Sequence, residues 1–190
     1  MQPAPIRRQR AVEVFRNAHG TLFDDEVTSA GGKPGRYLRW RWANPGVVVI
    51  PRWGDLVALV PSFRYSVADV SWELPRGGQE DGETVDAAAA RELWEEAGLR
   101  ASVVTEVGTL FADTGLIETP VHVVEAQVTG PHFEKQSPER MESLGAPAWF
   151  TPQKLLDATA QGKVRCGITI AATALAQAVQ AELSRTAPPD

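Results

Sequence analysis

The spacing of hydrophobic positions changes along the chain, and each change marks an element. From Ala11 the apolar residues fall in short extended groups: Val12, Val14 and Phe15, then Leu22 and Phe23, then Val27, with a turn over Asn17 to Gly20. After the flexible run Gly31-Gly32-Lys33-Pro34-Gly35, the stretch Tyr37 to Trp42 alternates aromatic or aliphatic residues with arginine. This predicts three short antiparallel strands. Val47 to Ile50 and Leu56 to Val60 are unbroken apolar runs joined by a turn over Pro51 to Asp55, which predicts a buried hairpin at the centre of a sheet. Ser71 to Leu74, Ser102 to Val104, Val107 to Phe111, Val121 to Ala126 and Ala148 to Phe150 read as further strands.

The period lengthens to that of a helix in three places. Thr84 stands as an N-cap, Asp86 falls in the first turn, Ala87 to Leu93 are good helix formers, and Gly98 stands where a left-handed residue stops a helix. Thr151-Pro152 opens a second helix to about Ala160, and Ile168 to Leu183 forms an alanine-rich third. Gly130 to Gly145 shows no period, so it is a long loop of the kind that is functional or disordered. Residues 1–10 are expected to be a mobile arm and residues 186–190 a disordered tail. That leaves a small antiparallel sheet over residues 11–43 and a main domain over residues 44–185.

Composition narrows the function. With 190 residues, 43% of them hydrophobic and 23% charged, the balance is that of one ordinary globular domain with a small appended piece. The formal net charge of -5 argues against nucleic acid as a partner, because no basic excess exists to release counterions. A single cysteine, Cys166, excludes an intramolecular disulfide and any cysteine-based zinc cluster, and it reads as a buried structural thiol. No apolar run approaches the ~20 residues needed to span a bilayer, and Met1 to Arg10 lacks a signal-like apolar core. A soluble cytoplasmic protein without a membrane partner is expected. His122, within a strand, reads as a core histidine.

The chemistry concentrates on the first helix. Glu92, Glu95 and Glu96, at i, i+3 and i+4, crowd one face about 100° wide. Such crowding is either a solvated acidic face or a set of oxygen ligands for a hard divalent cation such as Mg²⁺. The Gly-rich turn Pro75-Arg76-Gly77-Gly78 before the helix and a fourth acid, Glu83, favour the cation. Arg91, four residues before Glu95, can hold that carboxylate in place. Further upstream, Arg39, Trp40, Arg41 and Trp42 are either the two faces of a half-buried strand or a stacking platform for a purine base.

The residues Gly77, Glu83, Arg91, Glu92, Leu93, Glu95, Glu96, Gly98 and Leu99 meet every position of the spacing G-x5-E-x7-R-E-U-x-E-E-x-G-U. This resembles an intact Nudix box, the signature of hydrolases that act on nucleoside diphosphates linked to another moiety. The segment Glu73-Leu74-Pro75-Arg76-Gly77 and the upstream Phe63-Arg64-Tyr65 are similar to the ADP-ribose pyrophosphatase branch of that family. The resemblance implies an α/β/α sandwich with a mixed sheet, and a homodimer built through the N-terminal sheet, so that Arg39, Trp40 and Arg41 would act in the partner's substrate site. It implies Mg²⁺ or Mn²⁺ held by Glu92, Glu95, Glu96 and the backbone carbonyl of Arg76, with Arg91 orienting the glutamates. Arg64 is implied to bind substrate phosphates, and Glu73 is counted with it among the substrate-binding candidates.

In that branch a glutamate on the late loop acts as general base. Glu139 or Glu142 occupies that place, and Glu142 lies nearer the final strand. The branch usually carries a proline some sixteen residues after the box; here that place holds Thr114, which with Gly115 is counted among the substrate-binding candidates. The implied reaction is ADP-ribose plus water giving AMP and ribose 5-phosphate. GDP-mannose or another nucleotide sugar, a nucleoside triphosphate, and a non-catalytic nucleotide sensor are the alternatives.

Overall fold

Strand pairing divides the chain into two sheets. The computed structural model describes residues 3–186. One unit comprises the residues up to Pro45 together with Phe111–Pro120, and the other comprises Gly46–Leu110 and the chain from Val121 onward.

In the first unit, β1 (Arg7–Arg10) and β2 (Glu13–Asn17) pair with successive parts of β3 (Gly20–Thr28), and β4 (Pro34–Trp42) pairs antiparallel along its whole length. Residues 7–10 are therefore a strand and not part of a mobile arm. Their register to Glu26, Val27 and Thr28 is backed by ion pairs of Arg10 with Glu26 and of Arg8 with Asp25. Thr21, Phe23, Asp25 and Arg39 are buried, and the Arg39 guanidinium lies 3.8 Å over the Phe23 ring. The segment Phe111–Pro120 joins this sheet: Trp40 N–H donates to the Leu116 carbonyl at 2.8 Å, and Glu118 N–H donates to the Trp40 carbonyl at 3.1 Å. The main domain expected as one continuous stretch is thus interrupted by ten residues or so that fold with the N-terminal sheet.

The second unit contains β5 (Gly46–Trp53), β6 (Leu56–Arg64), β7 (Asp69–Glu73), β8 (Arg76–Gly78), α1 (Val85–Ala97), β9 (Ala101–Leu110), β10 (Val121–Val128), β11 (Ala148–Phe150), α2 (Pro152–Ala160) and α3 (Gly167–Thr186). Its sheet runs β11-β6-β5-β10-β9, with β7 paired to β6 and β8 to β5. β10 and β5 are parallel and the other pairs antiparallel, so the sheet is mixed as expected. Alternation along β5 sends Val47 and Val49 to one face, where they pack with Ala88, Ala89, Leu93 and Ala97 of α1. Val48 and Ile50 go to the other face, with Leu155 of α2 and Ala172 and Ala176 of α3. Both faces of the sheet are covered, which gives the α/β/α sandwich.

The two runs expected as separate strands over residues 102–104 and 107–111 form one strand, β9, whose pairing shifts register opposite Val123 and Val124. α3 reaches Thr186, so that residue of the expected tail is helical, and residues 187–190 lie outside the described residues.

Candidate active site

Helix α1 is set by its ends. Thr84 Oγ1 accepts the Ala87 N–H at 3.2 Å, and Gly98 closes the helix at φ 61° with its N–H on the Trp94 carbonyl at 2.9 Å. The helix is rotated so that Ala88, Ala89, Leu93 and Ala97 form the buried stripe while Ala90 is exposed. This rotation carries Glu92 and Glu96 inward, to 5% and 1% exposure, and leaves Glu95 at the rim.

The turn at the start of β8 meets these glutamates. Arg76 N–H donates to Glu96 Oε2 at 2.8 Å, while Glu96 Oε1 is buried with no hydrogen-bond partner among the described residues. A Cβ at Gly77 would overlap the Glu92 carboxylate, so only glycine lets the backbone come this close. Arg91 clamps the group from outside. Its Nε and Nη2 donate to Glu83 at 3.1 and 3.0 Å, its Nη1 to Glu92 at 2.7 Å and Glu95 at 3.1 Å, and its Nη2 also to the Gly78 carbonyl at 2.8 Å.

The electrostatics follow from this crowding. Burial pushes the Glu92 carboxyl up to about 7 against the pull of Arg91, with the charges of Glu95 and Glu142 adding to the rise. Burial raises Glu96 further, to about 8, against the Arg76 N–H, and Glu142 and Glu92 reinforce it. Glu142 is therefore within electrostatic reach of both inward carboxylates. Glu139 is exposed, and its N–H donates to Glu142 Oε2 at 2.9 Å.

The loop that carries both residues is tied to the end of α1. Glu134 N–H donates to the Gly98 carbonyl at 2.8 Å and Ser137 N–H to the Glu95 carbonyl at 2.9 Å, and the Gln136 amide donates to the Glu96 carbonyl. On its return side, Phe63 N–H donates to the Ser143 carbonyl at 2.9 Å and Gly145 N–H to the Pro61 carbonyl at 2.8 Å. Free carbonyls at a helix C-terminus need donors, and the loop supplies them. Glu73 lies buried beside the site with Arg64 and Arg76 upon it.

A divalent cation suits this donor set. Among the described residues no three His, Cys, Asp or Glu side chains are already gathered around one point, Glu92 being turned to Arg91. The available donors are nevertheless all hard oxygens, and Glu96 Oε1 is a buried acceptor with no protein donor to meet it.

The remaining candidates belong to the other unit. Arg39 is buried on Asp25, with Nε 2.7 Å from Oδ2, and also pairs with Glu118; Arg41 pairs with the same Glu118. Trp40 is half-buried, edge-on to Trp42 at 5.3 Å, and its indole N–H has no partner among the described residues. Thr114 is exposed, and Gly115 N–H donates to Asp113 Oδ1 at 2.8 Å. His122 is not a fully buried core residue: Nδ1 lies 2.7 Å from Glu106 Oε1 and the ring is partly exposed. Cys166 is likewise partly exposed instead of buried.

Residues 40–167 match the model of the NUDIX domain, about two-thirds of the chain. The chain belongs to the NUDIX family. Its similarity to an ADP-ribose pyrophosphatase of Saccharomyces cerevisiae is 36% identity over 84 residues, 44% of this chain and 36% of that protein. An ADP-sugar pyrophosphatase of Mus musculus is 38% identical over 76 residues, 40% of this chain and 35% of that one. An RNA pyrophosphohydrolase of Shewanella sp. is 40% identical over 63 residues, a share of 33% of each chain. The match thus spans about a third of the length of these curated relatives. A solved structure titled as an ADP compounds hydrolase superposes with a TM-score of 0.78 over 98% of this chain and 100% of that one, at 18% identity, which establishes the shared fold. No described helix of this NUDIX chain is long and apolar enough to cross a membrane.

Four contributors carry little or no mark in the sequence pattern: Gln136, Glu134, Glu118 and the Arg76 side chain. Gln136 and Glu134 cap α1 across a gap of some forty residues, and nothing local marks them. Glu118 anchors Arg39 and Arg41 from a segment without periodicity. The Arg76 side chain has one local signal, an opposite charge three residues earlier at Glu73.

Proposed function

We propose that the chain is a divalent-cation-dependent hydrolase of nucleoside diphosphates linked to another moiety, with ADP-ribose as substrate and AMP and ribose 5-phosphate as products. The observation that carries this reading is Glu96: a carboxylate at 1% exposure with one oxygen fixed by a backbone N–H and the other without a partner. A fold keeps such an acceptor at a cost of about 1–3 kcal/mol unless a ligand satisfies it.

Glu92, Glu96 and Glu95, with the Arg76 carbonyl, would hold Mg²⁺ or Mn²⁺. The bound cation supplies neutralisation of the diphosphate oxygens and makes an attacking water more acidic. Arg91 keeps the glutamates in register, since its guanidinium spans Glu83, Glu92 and Glu95 at once. Glu142 takes the proton of the attacking water at its carboxylate, the role its field at Glu92 and Glu96 supports over that of Glu139. Arg64 faces the phosphates. The purine-side contacts assigned to Arg39, Trp40 and Arg41 depend on a homodimer through the N-terminal sheet, whereas Thr114 and Gly115 are substrate-binding candidates of the loop after the glutamate helix. Exposed Phe15, Leu38 and Trp42 on one face of that sheet support such a dimer, and a monomer by sedimentation would remove it.

The similarity to RNA pyrophosphohydrolases favours a second reading, hydrolysis at the 5′ end of RNA, which the net charge of -5 disfavours. Purified protein should be incubated with ADP-ribose, GDP-mannose, a nucleoside triphosphate and 5′-triphosphorylated RNA, each with Mg²⁺, Mn²⁺ or EDTA. AMP release from ADP-ribose with either cation and none in EDTA is expected. Preferential cleavage of RNA ends would establish the second reading, and no turnover on any substrate would leave a nucleotide sensor.

A further inference from the structure

Two guanidinium groups converge on one carboxylate oxygen beside α1. Arg64, at the end of β6, reaches Glu73 Oε2 with Nε at 3.1 Å and Nη2 at 2.8 Å; Arg76, at the start of β8, reaches the same oxygen with Nε at 3.2 Å. Glu73 is only 2% exposed, whereas both arginine side chains are 28% exposed. Two positive charges against one buried negative charge leave a net positive site. Arg64 Nη1 and both Nη atoms of Arg76 make no hydrogen bond among the described residues, so unused donors remain on each fork.

The placement is as telling as the charge. Arg76 is the residue whose backbone N–H fixes Glu96, so its side chain starts at the carboxylate cluster and leads away from it to Glu73. Arg64 acts electrostatically on Glu96 as well as on Glu73. The positive pair therefore adjoins the acidic cluster without neutralising it by direct contact. Planar guanidinium forks match phosphate oxygens in geometry as well as charge. Holding both forks on a buried carboxylate in advance removes part of the ordering cost of binding.

We propose that the Arg76 side chain, braced on Glu73 beside Arg64, adds a second guanidinium to the seat for one phosphate of the diphosphate, so that Arg76 binds substrate through its side chain independently of its backbone at Glu96. This rests on the diphosphate-hydrolase reading of the same site. Glu73 is a positioning residue: it touches the arginines and not the substrate.

The test separates the seat from the reaction by measuring binding without turnover. Calorimetry with ADP and with inorganic pyrophosphate, in EDTA, is run on wild type, Arg76→Gln, Arg76→Lys and Arg64→Gln, each checked by thermal melting. Arg76→Gln should weaken ADP binding about tenfold or more, the loss of a charge-assisted contact, and AMP binding less. Arg76→Lys should recover only part, because a point charge lacks the fork. With ADP-ribose and Mg²⁺, Arg76→Gln should raise KM more than it lowers kcat. Wild type binding ADP but cleaving nothing would sink the hydrolase reading and keep the seat. Turnover in Arg76→Gln with unchanged KM and unchanged ADP affinity would remove the seat and keep the hydrolase. Wild type that binds neither ADP nor pyrophosphate in EDTA would also overturn the seat.

Discussion

Asp25 in the N-terminal sheet and Glu96 on α1 are both carboxylates taken almost wholly out of water, at 3% and 1% exposure, yet their surroundings are opposite. Asp25 receives Arg39 at 2.7 Å and the Val12 N–H at 3.2 Å, with Arg8 at 3.9 Å. Burial alone would raise it, but the Arg39 hydrogen bond, the Val12 N–H and the charges of Arg39 and Arg8 outweigh that and hold it below the ordinary carboxylate range. Glu96 has one backbone donor, two acidic neighbours within electrostatic reach, and a bare oxygen. A satisfied buried charge fastens a sheet; an unsatisfied one waits for a ligand. The contrast sorts the candidate residues without reference to any relative.

The largest test of this contrast is Glu96→Gln. It keeps the shape and removes the charge, so turnover of ADP-ribose should fall by roughly 10³-fold, the scale for losing one electrostatic stabiliser of a phosphoryl transition state. The thermal midpoint at neutral pH in EDTA should hold or rise, because folding no longer has to protonate a carboxyl that the interior will not hold charged. Unchanged turnover would mean that Glu96 holds no ligand. Asp25→Asn should do the reverse to stability: it leaves Arg39 with Glu118 as its one carboxylate partner among the described residues and costs about 2 kcal/mol in denaturant melts. A loss under about 0.5 kcal/mol, the range of ordinary surface changes, would show that Asp25 fastens nothing.

The smallest effect is in the pH dependence, where the two carboxylates should act with opposite sign. Glu92 and Glu96 have folded-state values of about 7 and about 8, above those of the unfolded chain. The folded protein holds extra protons between the two, so their contribution is full below the unfolded value and is lost as pH rises through about 7 and about 8. Asp25 is lowered, so its contribution is present above the unfolded value and lost as pH falls through the folded one. In EDTA, Glu96→Gln should flatten the alkaline limb of a midpoint-against-pH curve and Asp25→Asn the acid limb. Saturating Mg²⁺ should flatten the alkaline limb of wild type, because the cation replaces the protons. A wild-type limb indifferent to the cation would contradict the ligand role.

Legibility followed the physics. α1 could be placed to the residue because cap, helix formers and stop glycine are all local, and a 3.6-residue period put Glu92, Glu95 and Glu96 on one face, but which of them turn inward depends on packing that the period alone does not give. The central hairpin announced itself by apolar runs. β1 did not, because Arg-Arg-Gln-Arg carries no apolar alternation and is held by backbone register and charge. The adherence of Phe111–Pro120 to β4 joins residues more than seventy apart, which no local pattern encodes. Arg39 was visible as an arginine on a strand, but its partners Asp25 and Glu118 come from two other segments, so its burial was not.

The late loop resembles a bridge deck on two piers. Residues 134–137 rest on the end of α1 and residues 143–145 on the end of β6, so only the span Pro138–Glu142 is unsupported. That span carries Glu142, the proposed proton acceptor. Substitutions within it should leave both abutments standing, so the reach and acidity of Glu142 can be retuned while Glu92 and Glu96 stay where they are.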